Sequence, residues 1–304
     1  MSIVAVGVLA FDSIKTKKGI REKILGGSLT HFANAASLLS KPRLIGIVGG
    51  DFLSEHWKAI ENMASDISGI VSLNDEKCFF WEGCYSDDFE VRQTIRTELN
   101  VFEKFNPRVP EHYKEKDSIL FLANMDPSIQ KQILIECKDS KWKILDTMNY
   151  WISNSREKLN EVFGLVDGII INEEEAFLLT GEKNVLLASE RLFSPNLKLI
   201  IVKRGANGMM AFGKDFCISL PAFPLREVVD PTGAGDSFAG GFVSYLDFYK
   251  IKQLNRRNVK RAAIYATVVA SFCVEDFGLD GIRAVTTRDI EKRLKSFREM
   301  IMVE

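Results

Sequence analysis

The 304-residue chain has almost no net charge, with 40 Lys and Arg against 41 Asp and Glu. That balance excludes a general pull on nucleic acid or on an anionic membrane, so any anionic ligand must be held by a local site. Cysteine is sparse as well. The five residues (Cys78, Cys84, Cys137, Cys217, Cys273) are odd in number. No two of them have zinc-knuckle spacing, and none suggests a disulfide framework. Cys273, inside the apolar run TVVASFCV, is expected to fill core space. No stretch approaches the ~18 apolar residues of a membrane span, and the apolar N-terminus has no basic leader and reads as a strand. Internal repeats, low-complexity linkers and Gly/Ser tethers are absent. So is a G-x-G-x-x-G after the first strand, which ranks a dinucleotide-dependent oxidoreductase last among candidate functions. A cytoplasmic globular protein is expected, and its length suits one unit over residues 1–304.

What is present is alternation. Short apolar, β-branched runs at 3–8, 43–48, 119–122, 143–146, 168–171 and 199–203 are separated by amphipathic stretches at 30–39, 55–64, 129–137, 156–163 and 186–193. Strands apolar throughout, alternating with helices, predict an α/β fold with a parallel sheet covered on both faces. Two segments break the pattern, at about 13–25 and 79–102. In the second, Ser86-Asp87-Asp88 signals a turn. Phe89, Val91, Ile95 and Leu99 then fall on one face, with Glu90, Arg92, Arg96 and Glu98 on the other. Both segments read as antiparallel strands projecting from the main sheet, either capping the core or forming a lid over a ligand.

The most informative run is DPTGAGDSFAGGF, from Asp230 to Phe242. Val228-Val229 reads as a strand end, Pro231 and Gly233 break it, and helical periodicity starts near Ala234. Gly233, Ala234 and Gly235 thus form a small-residue turn at a helix N-terminus, where free amides and the helix dipole favour an anion. An acid at such a place would repel a bound phosphate unless it takes the proton from a hydroxyl attacking that phosphate. Asp236 suits that task, and phosphoryl transfer needs a base beside such donors. The plainer reading makes Asp236 a helix cap. Gly240-Gly241 within the helix costs about 1–2 kcal/mol of propensity, so something must require close approach there.

This run resembles the D-T-G-A-G-D signature of the ribokinase-like (PfkB) kinases, with Pro231 as a variant. The resemblance implies a three-layer sandwich, a mostly parallel central sheet with helices on both faces, plus a small antiparallel β-lid. It implies transfer of the ATP γ-phosphoryl to a hydroxyl, with Asp236 as base and the Gly233, Ala234 and Gly235 amides as anion hole. Other elements follow in the family's order. Asn172 and Glu175 resemble its N-x-x-E element, placing Glu175 near Mg2+ through water; as residues alone they equally make a capping box. Lys203, Gly205 and Gly208 resemble a K-x-G-x-x-G turn beside the nucleotide, and Thr232 joins them; a plain hairpin turn is the alternative. Asp12, Gly26 and Gly27 match the family's acceptor-binding aspartate and Gly-Gly pair. Gly49-Gly50-Asp51 resembles a further G-x-D turn. Ala262, Ala266 and Ala270 line the face of a helix that the family packs on adenine, or simply pack.

Two departures from the family's sugar-binding pattern stand out. Its Asn two residues before the acceptor aspartate is Ala10 here, and its Asn four residues after the Gly-Gly pair is His31. Hydroxyl partners are therefore lost or replaced. The aromatic residues Trp81, Tyr85, Tyr150 and Trp151 suit a sugar face or a nucleobase. The acceptor expected is a small sugar or sugar derivative, with an adenosine-like nucleoside second and a non-catalytic ligand-binding member of the fold as a further alternative. ATP and Mg2+ are the implied cofactors, K+ is left open, and two lids could pair into a homodimer.

Overall fold

The computed structural model describes residues 1–89 and 91–302. The strands are β1 Ser2–Val6, β2 Ala10–Thr16, β3 Gly19–Gly26, β4 Arg43–Gly49, β5 Asp66–Leu73, β6 Phe79–Tyr85, β7 Arg92–Glu98, β8 Ser118–Leu122, β9 Trp142–Leu145, β10 Gly168–Asn172, β11 Leu199–Lys203, β12 Met209–Gly213 and β13 Phe216–Leu220. The helices are α1 Ser28–Ser37, α2 Ser54–Met63, α3 Pro127–Glu136, α4 Asn149–Asn154, α5 Arg156–Phe163, α6 Glu173–Thr180, α7 Val185–Leu192, α8 Ala234–Phe248, α9 Arg256–Cys273, α10 Asp280–Arg283 and α11 Thr287–Ile301.

Nine strands form one sheet in the order β13-β12-β11-β10-β9-β8-β1-β4-β5. All neighbours are parallel except the β11–β12–β13 meander at one edge. The central strands are buried on both faces, which is why they read as unbroken apolar runs. Two separate apolar clusters cover the two faces. One contains Phe32, Phe121, Phe242 and the α9 face; the other contains Tyr113, Leu159, Val162 and Ala176. The three-layer sandwich expected from the alternation is what forms, and each of its six strands and five helices lies within two or three residues of its observed place.

The second sheet, β3-β2-β6-β7, arises from the two segments that broke the alternation. Its β2–β3 and β6–β7 pairs are antiparallel and its β2–β6 pair is parallel. The predicted faces of β7 need correction, because the alternation is broken by a bulge. Glu82 pairs with Arg96 but Gly83 pairs with Thr94, leaving Ile95 as an extra residue. One such insertion swaps the faces of everything beyond it. Arg92 and Thr94 therefore share a face with Tyr85 and Trp81, while Arg96 lies on the other, over Phe80 and paired with Glu82. Val91, Ile95 and Leu99 are exposed rather than buried, and the expectation for Glu90 lies outside the described residues.

A second correction concerns Val228-Val229, which belongs to no strand. The main sheet ends at β13, and the segment pairs with none of its strands. Isolated bonds hold it instead, from Val229 N–H to Val274 O at 2.8 Å and from Thr16 Oγ1 to Val229 O at 2.9 Å.

The Gly240-Gly241 pair has its explanation in α8 lying between α1 and α9. A Cβ on Gly240 would sit 2.3 Å from the Phe32 carbonyl oxygen, and one on Gly241 would sit 3.0 Å from the Ala266 Cα. Ala262 and Ala266 are thus buried in helix packing. Gly240→Ala would gain about 1 kcal/mol of helix propensity, yet it must push apart two backbones. We expect a net loss of about 1–3 kcal/mol, seen as a lower denaturant midpoint with an unchanged slope.

Candidate functional site

In the main sheet the chain runs outward from β1 through β4 to β5, and the other way from β8 through β9 and β10 to β11. The strand order therefore reverses between β1 and β8, and ligands of open α/β sheets bind at the carboxyl edge beside such a reversal. Three adjacent strands end there in polar residues. Asp146 follows β9, Asn172 ends β10, and Lys203 ends β11 in register with Asn172.

Lys203 is the electrostatic centre of this edge. Its Nζ lies 3.4 Å from Asp146 Oδ2, and Glu175 and Asp236 are close enough to act on its charge. Burial opposes that charge, but the three carboxylates outweigh it and raise the lysine pKa. One ammonium cannot neutralise three acids. Burial, with the field of Asp146 added, therefore pushes Asp236 up to about 7 and Glu175 up to about 8.

Asp236 stands in the first turn of α8. Gly233, in the left-handed region at φ 74°, caps this helix, and a Cβ there would fall 2.2 Å from the His31 ring. A Cβ on Gly235 would fall 2.9 Å from Lys203 Nζ, so the small-residue turn lets the lysine and the helix entrance meet. Of the three amides, that of Ala234 already donates to Pro231 O at 3.2 Å.

The acceptor-side residues converge on the same place. Asp12 is buried, accepts from the Gly27 amide at 3.2 Å, and leaves no room for a Cβ on Gly26. Burial raises it to about 7. Gly27 has φ 90°, and a Cβ there would meet Val8 O at 2.5 Å. His31, four residues on, packs against Gly233. It is buried, its Nε2 has no partner among the described residues, and burial lowers its pKa to about 4, keeping the ring neutral. Asp12 also adds its field to Asp236.

Several residues keep the structural roles that the plainer readings named. Asn172 and Glu175 make a reciprocal capping box, with Glu175 N–H to Asn172 Oδ1 at 2.7 Å and Asn172 N–H to Glu175 Oε2 at 2.8 Å. Gly205 and Gly208 shape the β11–β12 turn; only Gly205 faces open space. Asp51 accepts from the Cys78 amide at 2.7 Å and fastens the start of β6.

The β3-β2-β6-β7 sheet lies over the α8 entrance, the geometry of a lid. Tyr85 Oη is 3.0 Å from Thr232 Oγ1, Thr16 holds Val229, and Lys18 pairs with Glu227. Trp81 stands beside Asp12 in register. The site also holds residues that the sequence reading did not assign to it. Asp146 was legible as an acid closing a parallel strand beside the strand-end Lys203. Arg92 was not, because the bulge that turns it inward has no sequence signature.

The family's description, pfkB family carbohydrate kinase, matches residues 91–283 of this chain. The chain belongs to the pfkB family, and it is a kinase that transfers phosphate to a hydroxyl group. A cytidine kinase of Thermococcus kodakarensis is 29% identical over 80% of this chain and 88% of its own length. A nucleoside kinase of Methanothermobacter thermautotrophicus is 28% identical, covering 91% and 90%. Among solved structures, the nucleoside kinase of Burkholderia thailandensis with inosine superposes with a TM-score of 0.80 at 18% identity, covering 97% of both chains. A putative ribokinase II of E. coli with ATP and Mg2+ reaches 0.77 at 21%, covering 97% and 99%. These likenesses identify the fold as ribokinase-like.

Asp236 charges at a cost. Because its folded-state pKa lies above the ordinary carboxylate value, its protonated form favours folding, and that contribution is lost as pH rises from about 4 through about 7. Asp236→Asn should raise the Tm of the ligand-free protein above pH 7 by about 2–4 °C, and the gain should vanish near pH 4, as calorimetry at several pH values would register.

Proposed function

We propose that this chain transfers the γ-phosphoryl of ATP to a primary hydroxyl of a ribose-bearing acceptor, a nucleoside first. The observation that carries this reading is the half-buried Asp236 at the entrance of α8, between Asp12 on the acceptor side and the Lys203–Asp146–Glu175 cluster on the other. Asp236 accepts the hydroxyl proton; its raised pKa suits a base working near neutrality. Asp12, held by Gly26 and Gly27, anchors acceptor hydroxyls. His31 offers a neutral ring nitrogen where Ala10 leaves no amide. Amides of Gly233, Ala234 and Gly235 receive the transferred charge.

ATP and Mg2+ fit the residues present. Lys203 beside Gly235 provides a cation at the anion site, and Gly205, Gly208, Asn172 and Thr232 border the nucleotide side. The carboxylates outnumber the ammonium, leaving oxygens for a cation. Among the described residues no three acidic, histidine or cysteine side chains converge on one point, which suits a magnesium that keeps its waters near Glu175. Bound magnesium would supply charge neutralisation for the phosphates.

The nucleoside is preferred to a free sugar because the nucleoside and cytidine kinases named among the relatives match 80–96% of this chain, whereas the plant fructokinases match 30–47%. Trp81 beside Asp12 offers a surface for a base. The sugar reading keeps the same chemistry with a smaller acceptor. A cytoplasmic location accords with the lack, among the described residues, of a helix long and apolar enough to cross a membrane. Ile20, Val91, Ile95 and Leu99 are exposed on the lid and would suit a second lid, which sedimentation would reveal as a dimer.

ADP release from Mg·ATP across nucleosides, sugars and sugar acids, in K+ and in Na+, tests this reading. We expect nucleoside-dependent release, reduced by about 10²–10⁴-fold in Asp236→Asn. Release with free sugars alone would select the second reading, and release surviving in the variant would remove Asp236 from its role. On the acid side, kcat/KM should fall about tenfold per pH unit below about 7, as Asp236 takes up its proton.

A further inference from the structure

We propose that the cleft between the outer edge of β3 and the body of the molecule is a regulatory site for a small phosphate ester with an apolar body. The cavity measures about 300 Å³ and lies between β3, α2 and the segment 277–283. Cationic and donor groups reach it from both sides, Arg21 and Lys23 from the strand, His56 and Arg283 from the body. Arg21 donates to the Ile20 carbonyl oxygen of its own strand at 3.0 Å and lies over the Phe277 ring, 4.7 Å from its centre. Arg283 is 3.9 Å from Asp280 and His56 Nε2 is 3.7 Å from Glu55, both beyond hydrogen-bond reach. His56 Nδ1 accepts from the Leu53 amide at 2.9 Å, which leaves the neutral ring's N–H on Nε2. Asp280 and Glu55 are the acids of this wall, and both side chains are largely exposed. Donors gathered around a hollow without close counter-ions suit an anion from outside.

Two features of β3 build this wall. It is the edge strand of the lid sheet, so one side of its backbone has no partner strand. Its ladder with β2 also carries a bulge. Between the Asp12–Ile24 and Ile14–Arg21 pairs lie Ser13 on one strand but Glu22 and Lys23 on the other. Lys23 takes φ 49°, in the left-handed region that a residue with a Cβ seldom adopts, and its amide donates to Ser13 Oγ at 3.1 Å. A bulge of this kind re-aims the side chain it carries. Two guanidinium groups meet phosphate oxygens with paired donors. Leu25, Ala59 and Leu279 line the same hollow, which asks for more than a bare ion. The cavity is also joined to the acceptor side. Ile24 stands opposite Asp12, and a Cβ on Gly278 would fall 2.7 Å from Ile24 Cδ1. The Gly278 amide in turn donates to Asp230 Oδ2 at 3.2 Å, at the start of the glycine-rich run. A ligand bridging β3 and the body therefore holds Asp12 in its observed place. Effector and acceptor then strengthen each other's binding by the same factor. This adds regulation to the kinase reading above and rests on it for the acceptor.

The test uses phenyl phosphate as probe, with inorganic phosphate and phenol beside it, on native protein and on the Arg21→Gln/Arg283→Gln double variant. Lys23→Gln, at an exposed position, serves as a second variant, and matching thermal melts confirm that all are folded. With Mg·ADP saturating the donor side, calorimetry should show phenyl phosphate binding the double variant about tenfold more weakly than native protein, with Lys23→Gln between them. In native protein the probe should slow amide exchange in 19–26 and 277–283 and leave 232–240 unchanged. With the acceptor that the panel identifies, it should lower acceptor KM about fivefold at constant kcat, an effect absent from the double variant, whose constants without probe stay native. No binding to native protein would overturn the proposal. So would equal binding to the variants, or protection confined to 232–240, either of which would place the probe at the anion turn of α8. Inorganic phosphate or phenol acting as strongly as phenyl phosphate would overturn the assignment to an ester. Binding and exchange are read without turnover, so failure of the kinase reading stays separate and would show as native protein without acceptor-dependent release.

Discussion

The half-buried ammonium of Lys203 is the interaction on which the rest of the site depends. It stands where three strand ends and a helix entrance meet, and it is outnumbered by Asp146, Glu175 and Asp236. Replacing it by an apolar group would leave the buried Asp146 and Glu175 carboxylates uncompensated, a loss measured in several kcal/mol in comparable situations. Leaving it outnumbered has a consequence: the unsatisfied acids Glu175 and Asp236 are raised toward neutrality.

That cluster can exist only because backbone approaches it without side chains in the way. Gly235 admits Lys203, Gly233 admits His31, and Gly240 and Gly241 let α8 settle between α1 and α9. The glycines cost helix propensity and return position, since the entrance of α8 is fixed from both flanking helices. The small sheet completes the enclosure. Thr16 and Tyr85 bind it to the entry loop, which holds Asp12 of β2 close enough to Asp236 of α8 to act on its charge.

Much of this was legible from residues alone where the physics is local. Apolar runs buried on both faces announced the parallel strands, and the glycine-rich turn announced the entrance of α8 with Asp236 in its first turn. The Asn172–Glu175 pair was legible as a capping box, which the structure exhibits directly. Legibility failed where a partner strand was needed to define the outcome. Val228-Val229 has strand-forming residues but is held by isolated bonds to Val274 and Thr16 instead of by a strand. Alternation from 89 to 99 looked uninterrupted because an inserted residue such as Ile95 changes pairing rather than composition.

Order along the chain therefore determined the layers, the run of strands and helices, and the identity of the residues gathered at the carboxyl edge, since each follows from periodicity and from backbone preferences within a few residues. Only the tertiary structure decided which charges share that edge and in what proportion. It alone paired Lys203 with Asp146, set His31 against Gly233, and turned Arg92 inward while Arg96 turned away. Those outcomes depend on distances between segments far apart in sequence, where burial strengthens every charge and a one-residue shift in register decides which side chain reaches the cleft.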